Sequence, residues 1–214
     1  MKTLDEPTEA DLAHDVHEHE IRCVDDPFAK NFLQLRGVNF NIVFFPGLIL
    51  HEFSHALVAW LGGGRVVEAT WWSAHGGAVS SKWISPAWGA LVSLGPLLLA
   101  GGAVILFQQA AVYLQKTTSE GIAFPLLLLW LGASLAVYSI PSIVDLRNSA
   151  YRARQGRDPG NTFTSGVFAL LWILPSLLIE AVAYLLLALF RRRSSARLAW
   201  AALLCLVTLN YFAA

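Results

Sequence analysis

The sequence is poor in charged residues: Asp, Glu, Lys and Arg make up 14% of it, whereas hydrophobic residues make up 56%. Charged residues form roughly a quarter of an ordinary soluble domain. The shortage favours a membrane protein with several spans over a soluble domain with a large core. The formal net charge is +0, so the chain lacks the basic surface typical of nucleic-acid binding, and we expect no nucleic-acid partner.

Cysteine is also scarce, and the first residues of the sequence are not apolar. Cys23 and Cys205 are too few to form a disulfide framework. Cys205 lies in an apolar run, where a thiol usually behaves as a small buried hydrophobic group. Residues 1–30 are acidic and polar, and we therefore expect no cleavable signal peptide.

Long apolar stretches dominate what is present. Five of them approach the length needed to cross a bilayer, and they cover approximately Phe40–Leu61, Ala87–Leu114, Ile122–Ile140, Gly166–Phe190 and Leu198–Ala213. The sequence predicts an all-α polytopic membrane protein with about five transmembrane helices, integral to a lipid bilayer. We divide it into a polar N-terminal segment (1–37), a membrane core (38–148), and a basic loop with two C-terminal spans (149–214).

The segment between the first two predicted spans, residues 62–88, is rich in glycine, β-branched residues and tryptophan. Apolar residues flank "AHGG", which predicts a small β-hairpin or loop that turns near Gly76 and Gly77. Its tryptophans suit the headgroup region of a bilayer. Such a hairpin could pair with an unwound substrate as an added strand.

The first predicted span contains ionisable residues, in the stretch "GLILHEFSHALVAW". Placing Asp, Lys or Arg at the centre of a span costs roughly 2.5–3.5 kcal/mol on insertion scales, so ionisable residues there usually have a function. On a helix, His51 and His55 lie one turn apart on the same face and can supply two ligands to a zinc ion. Glu52 can then act as general base on zinc-activated water, as in H-E-x-x-H enzymes. The alternative is a polar contact between helices.

A catalytic zinc ion needs a third protein ligand at the same depth. Asp145 follows the third predicted span, and Pro141 is expected to break or kink that helix so that Asp145 can fold back toward the metal. Glu68 and His75, in the hairpin on the same side, compete for this role. We rank Asp145 first, His75 second and Glu68 third. The alternative for Asp145 is a surface carboxylate paired with Arg147.

Other ionisable residues carry less specific signals. Glu180 stands alone in the apolar stretch "SLLIEAVAY", where it could support the metal site, line a water-filled path or form a structural hydrogen bond. His14, His17 and His19 match no known ligand spacing. We expect these three histidines to be solvated, and the alternative is an accessory metal site.

Three stretches together resemble the site-2 protease family, the intramembrane zinc metalloproteases. "LILHEFSHALVAW" is similar to the zinc-binding helix of that family, and "VSLGPLLLAGG" is similar to its Ala-Gly-Pro signature. "SIPSIVDLRN" occupies the place of its Asn/Pro-rich motif, which ends in a ligand Asp. The resemblance covers about residues 40–148. Ser54 stands where the family usually has Gly, and Leu146 follows the Asp where Gly is usual.

The resemblance implies one Zn²⁺ ion, held by His51, His55 and Asp145, with Glu52 as general base. It implies hydrolysis of peptide bonds in or near the membrane, with a membrane protein or peptide as substrate.

Residues around this set are candidates for contacts with the ligands or the substrate: His75, Glu68, Ser139, Pro141 and Glu180. Two rival interpretations remain open. One is a non-catalytic, zinc-binding regulatory membrane protein. The other is a transporter whose pathway is lined by Glu180 and the histidines. The sequence does not indicate an oligomeric state.

Overall fold

A computed structural model describes residues 34–35, 38–74, 76–82, 85–116, 121–155, 167–190 and 194–213. The described residues are mostly helical, with two small antiparallel strand pairs. The predictions for His14, His17, His19 and His75 concern residues outside these ranges.

The described part of the chain begins with a short strand pair that leads into the first helices. The elements are β1 (Gln34–Leu35), β2 (Val38–Asn39), α1 (Phe40–Val43) and α2 (Phe45–Leu61). The Asn39 side chain caps α1 by accepting a hydrogen bond from the Asn41 backbone N–H at 3.0 Å. The first predicted span is thus divided at Phe44, and α2 is its long part.

Helix α2 has its polar side chains inside and five of its large apolar side chains outside. The buried face carries His51, Glu52, Ser54 and His55, whereas the exposed apolar residues are Phe45, Leu50, Phe53, Trp60 and Leu61. A helix on the surface of a soluble protein has the opposite pattern. The inverted pattern is the one expected of a helix that faces lipid outward and a polar site inward.

The predicted hairpin is present, which confirms that part of the sequence analysis. Strands β3 (Arg65–Thr70) and β4 (Ala78–Lys82) pair antiparallel, with a bulge between Val66 and Glu68. Gly76 has a φ of 128° in the connection, a conformation that residues with a Cβ rarely adopt.

A broken helix follows the hairpin. It consists of α3 (Pro86–Leu94), a 3₁₀ turn (Gly95–Leu97) and α4 (Leu98–Lys116). The Ser85 side chain caps α3 by accepting from the Trp88 N–H. The stretch Ala87–Lys116 is long and apolar enough to cross a membrane.

The next two helices form a bent pair. Helix α5 (Ala123–Tyr138) and helix α6 (Ile143–Gln155) meet at 49°, and Pro141 lies between them, as predicted. The residues after Asp145 were predicted to form a basic loop, and this is wrong as far as Gln155. They continue as a helix because Ser142 caps it, and because Leu146, Ala150 and Ala153 bury one face at helical spacing.

The last two helices are α7 (Val167–Phe190) and α8 (Ser194–Ala213). Within α7, Leu171–Leu189 is long and apolar enough to span a membrane, whereas Ala196–Phe212 in α8 is a shorter apolar helix. By length and composition the described residues contain two candidate spans, or three if the bent pair counts as one. The five-span arrangement stays a prediction.

The core joins α2, α4, α5 and α8. Its buried side chains include Leu48, Phe107, Leu135, Tyr138 and Ala201. A methyl group on Gly47 would collide with the backbone carbonyl of Ser134, so glycine allows α2 and α5 to approach closely. This close approach places His51 beside the end of α5.

Candidate metal centre

Three ligand groups converge between α2 and the start of α6. The Nε2 atoms of His51 and His55 each lie 3.6 Å from Oδ2 of Asp145. One ligand atom from each residue lies within 4.8 Å of the others. Ligand atoms about 2 Å from a tetrahedral zinc ion are about 3.3 Å apart. This group could therefore hold a metal ion.

Hydrogen bonds fix the orientation and the tautomer of both imidazoles. His51 Nδ1 lies 2.8 Å from the carbonyl oxygen of Tyr138, and His55 Nδ1 lies 2.7 Å from that of Val92. A carbonyl can only accept, so both Nδ1 atoms are the donors. In a neutral ring the Nε2 atom then carries the lone pair, as in metal-ligating histidines.

A helix break that contains a proline makes each of these carbonyls accessible. In a continuous helix the Val92 carbonyl would accept from the N–H of residue 96, but that residue is Pro96 and has none. The Gly95 N–H bonds to Val92 instead, in the tighter 3₁₀ manner, and one lone pair of this carbonyl remains for His55.

The Tyr138 carbonyl is freed at the other break. Helix α5 ends at Tyr138, before Pro141. The N–H of Ser142, which would serve Tyr138 in a continuous helix, donates to Asp145 Oδ2 at 2.8 Å. Each histidine is thus oriented by a carbonyl that a proline-containing break leaves available.

Asp145 is held by a reciprocal cap. The Ser142 Oγ accepts from the Asp145 N–H at 3.1 Å while the Ser142 N–H donates to the Asp145 carboxylate. This is the capping-box arrangement, with Asp in the place of Glu. It points the carboxylate toward the two imidazoles.

With neutral imidazoles, the groups that face one another at this site are all hydrogen-bond acceptors. Two Nε2 lone pairs face a carboxylate oxygen at 3.6 Å, which is beyond hydrogen-bond length. Both histidines are buried and the Asp145 side chain is 20% exposed, so water does little to screen the repulsion. A proton on one imidazole would pair that ring with the carboxylate and leave the other Nε2 unsatisfied, whereas a metal ion could bind all three groups.

Glu52 lies beside this group and under the hairpin. It is buried, and it interacts electrostatically with His51, His55 and Asp145. A Cβ placed on Gly77 would lie 2.5 Å from Glu52 Cγ and 2.9 Å from Oε1. Glycine at position 77 therefore lets the hairpin backbone approach the carboxylate.

Asn41 ties the hairpin to the metal-site helices. Its Oδ1 accepts from the Tyr138 hydroxyl at 2.6 Å, and its Nδ2 donates to the Ala74 carbonyl at 3.2 Å. Its own carbonyl accepts from Trp72 Nε1 at 2.9 Å. Tyr138 thereby contacts His51 through its carbonyl and the hairpin anchor through its hydroxyl.

The other predicted residues do not join the three ligand groups. Glu68 is exposed on β3 and lies outside the one ligand cluster found among the described residues. Glu180 accepts from Arg154 Nε at 2.6 Å, and Arg154 also donates to Tyr184, so Glu180 belongs to a contact between α6 and α7. Ser139 and Pro141 form the break before Asp145.

Sequence reasoning missed several residues that hold the ligands. Ser142 could have been identified from the Ser-x-x-Asp spacing, which is a capping signature. Pro96 also contributes, by leaving one lone pair of the Val92 carbonyl to His55. The contributions of Asn41 and Gly77 depend on tertiary contacts and leave no local signal.

Comparison with known proteins adds no assignment. No family model, no curated protein and no solved structure matches this chain.

Proposed function

We propose that this chain is an intramembrane zinc metalloprotease of the site-2 protease type. In this proposal it is a polytopic helical membrane protein with five spans. It binds one zinc ion through His51, His55 and Asp145 and hydrolyses peptide bonds in or near the bilayer.

One observation carries the proposal. His51 and His55 donate from Nδ1 to backbone carbonyls, so their Nε2 lone pairs point at the Asp145 carboxylate. Two neutral nitrogen ligands and one carboxylate are a donor set typical of catalytic zinc, which keeps a fourth position for water or substrate. A bound zinc ion would lower the pKa of water and polarise a scissile carbonyl.

The roles of the protein residues follow from their positions. Glu52 is adjacent to His51 on α2 and is buried beside the ligands, where it takes a proton from the attacking water and passes it to the leaving amide nitrogen.

The inverted polarity of α2 supports a substrate within the membrane. A substrate helix keeps its carbonyls in internal hydrogen bonds, so it must unwind locally before attack. The transporter alternative has less support, because Glu180 is engaged by Arg154 and Tyr184 is part of the same contact.

The first test is the metal content of the detergent-purified protein, measured by mass spectrometry. We expect about one zinc per chain in the wild type, and loss of this zinc in His55→Ala and in Asp145→Ala, because two ligands hold zinc far more weakly than three. Glu180→Gln is the matched control and should retain the metal.

The outcomes separate the alternatives. Absence of zinc in the wild type, after purification without chelator and with zinc supplied, would refute the metal centre. Loss in His55→Ala but retention in Asp145→Ala would move the third ligand to His75 or Glu68. Zinc binding without peptide cleavage would favour the non-catalytic regulatory protein.

A further inference from the structure

The turn between α5 and α6, Ser139–Ser142, determines the positions of two of the three ligands. It frees the Tyr138 carbonyl that orients His51, and its last residue caps the helix that carries Asp145. Ser139, Ile140 and Pro141 are all buried, so another part of the protein covers this turn.

Helix α8 supplies that cover. Arg197 donates from Nη2 to the Pro141 carbonyl at 3.0 Å, and Trp200 donates from Nε1 to the Ser139 hydroxyl at 3.1 Å. Ser139 in turn donates to the Ala136 carbonyl at 2.8 Å. Arg197 and Trp200 are three residues apart and so share one face of α8.

Arg197 is an unusual residue to bury. It is 2% exposed, and a guanidinium inside a protein is stable only where hydrogen bonds or opposite charge compensate it. Its compensation includes the Pro141 carbonyl and electrostatic interaction with the Asp145 carboxylate. The guanidinium therefore links α8 to the third candidate ligand.

We propose that Arg197 is a positioning residue for the metal centre, acting through the Ser139–Ser142 turn to hold Asp145 and the Tyr138 carbonyl in place. The inference rests on the metal site of the proposed function and extends it to α8, which lies outside residues 40–148. A positive charge near the site by itself disfavours a bound cation. A weaker metal affinity on removal of Arg197 would therefore report positioning, because loss of charge acts in the opposite direction.

The test measures zinc affinity by chelator competition, together with the visible spectrum of the cobalt(II)-substituted protein. We expect Arg197→Met to weaken zinc binding roughly 10–100-fold, the range typical of residues that orient ligands. Arg197→Lys keeps one donor and the charge and should lose less. Trp200→Phe removes the hydrogen bond to Ser139 and one ring of the indole but keeps Arg197, and it should have the smallest effect of the three.

Thr208→Val is the matched control, since Thr208 is a buried polar residue about three turns further along α8. The melting temperature of each metal-free protein detects loss of the fold, and if Arg197→Met does not fold, Arg197→Lys and Trp200→Phe test the same turn. Unchanged or tighter zinc binding in the Arg197 variants, with an unchanged cobalt spectrum, would overturn the inference alone. An equal loss of zinc affinity in Thr208→Val would also overturn the inference alone. A wild type without zinc would overturn the metal centre and this inference together.

Discussion

Two regions of the molecule place carboxylates among apolar helices, and they satisfy them differently. Glu180 on α7 meets the guanidinium of Arg154 on α6, with a hydrogen bond of 2.6 Å. Asp145 meets two imidazoles whose nearest nitrogens have no proton to donate in the neutral form. The first carboxylate is satisfied by an arginine of the protein, whereas the second faces two imidazoles that a bound metal ion could bridge to it.

The supporting hydrogen bonds account for the difference. Arginine is always protonated and can only donate, so the Arg154–Glu180 contact needs no further group. In a neutral histidine, Nε2 is either a donor or an acceptor, and the hydrogen-bond partner of Nδ1 determines which. At His51 and His55 the hydrogen-bond partners of Nδ1 are backbone carbonyls, so Nε2 of each neutral ring is an acceptor. A polar residue in an apolar helix therefore indicates a ligand site only when its partners leave it an acceptor.

The largest expected effect comes from exchanging one carboxylate in each region for an amide. Glu52→Gln removes the general base and should lower peptide cleavage by roughly 10²–10⁴-fold, with zinc content unchanged. Glu180→Gln should leave cleavage unchanged, since that carboxylate lies outside the ligand cluster. Release of fragments from fluorescently labelled single-span peptides in detergent micelles would measure both.

Two outcomes would contradict this comparison. Equal activity of Glu52→Gln and the wild type would remove the enzymatic role of the metal centre. A comparable loss in Glu180→Gln would mean that the Arg154 contact participates in the reaction.

A second comparison uses one proline from each region. Pro96→Ala restores an N–H aimed at the Val92 carbonyl, which already accepts from Gly95 and His55, and a third donor exceeds its two lone pairs. We expect the affinity for zinc to fall roughly tenfold. The melting temperature of the metal-free protein should fall or stay constant, because a new helical hydrogen bond to Val92 displaces an existing one and the buried proline ring is lost.

Pro175 inside α7 is the control for this exchange. Pro175 is exposed, so Pro175→Ala should raise the melting temperature or leave it constant, and it should have no effect on zinc affinity. If Pro96→Ala binds zinc as tightly as the wild type, competition for the Val92 carbonyl is not what governs His55.

The difference between local sequence patterns and long-range contacts explains how much of the fold and of the site could be predicted from the sequence. The spacing of His51 and His55 placed both on one helical face, and Pro141 predicted the break that brings Asp145 back to them. These patterns involve residues that are close together in the sequence, so they can be recognised without knowledge of the tertiary contacts. The hairpin with its turn near Gly76 was predictable for the same reason.

Contacts made by backbone carbonyls and by distant helices could not be predicted. The Val92 and Tyr138 carbonyls carry no side-chain signal. Arg154 was assigned to a loop because its segment is basic, and the apolar face of α6 was overlooked, so Glu180 was left without its partner. Arg197 lies in the basic stretch "RRRSSAR", which does not indicate that Arg197 is buried and makes a contact inside the core.

The smallest expected effect tests the fit between the hairpin and Glu52. In Gly77→Ala the new methyl group would lie 2.5 Å from Glu52 Cγ, so either the hairpin backbone or the carboxylate must shift. A displaced rotamer costs about 0.5–1.5 kcal/mol, which corresponds to a roughly two- to tenfold loss of cleavage rate. Zinc affinity should not change, because Glu52 is not one of the clustered ligands.

Gly101→Ala is the matched control, because nothing lies within 4 Å of its added Cβ on α4. It should leave the cleavage rate unchanged and stabilise the helix by about 0.5–1 kcal/mol. If Gly77→Ala cleaves peptides as fast as Gly101→Ala, the hairpin can move away from Glu52 at little cost, and the close approach at Gly77 is not needed for the reaction. If it is slower at unchanged zinc affinity, the hairpin sets the position of the base, and the metal centre extends beyond its three ligands to the strand pair above it.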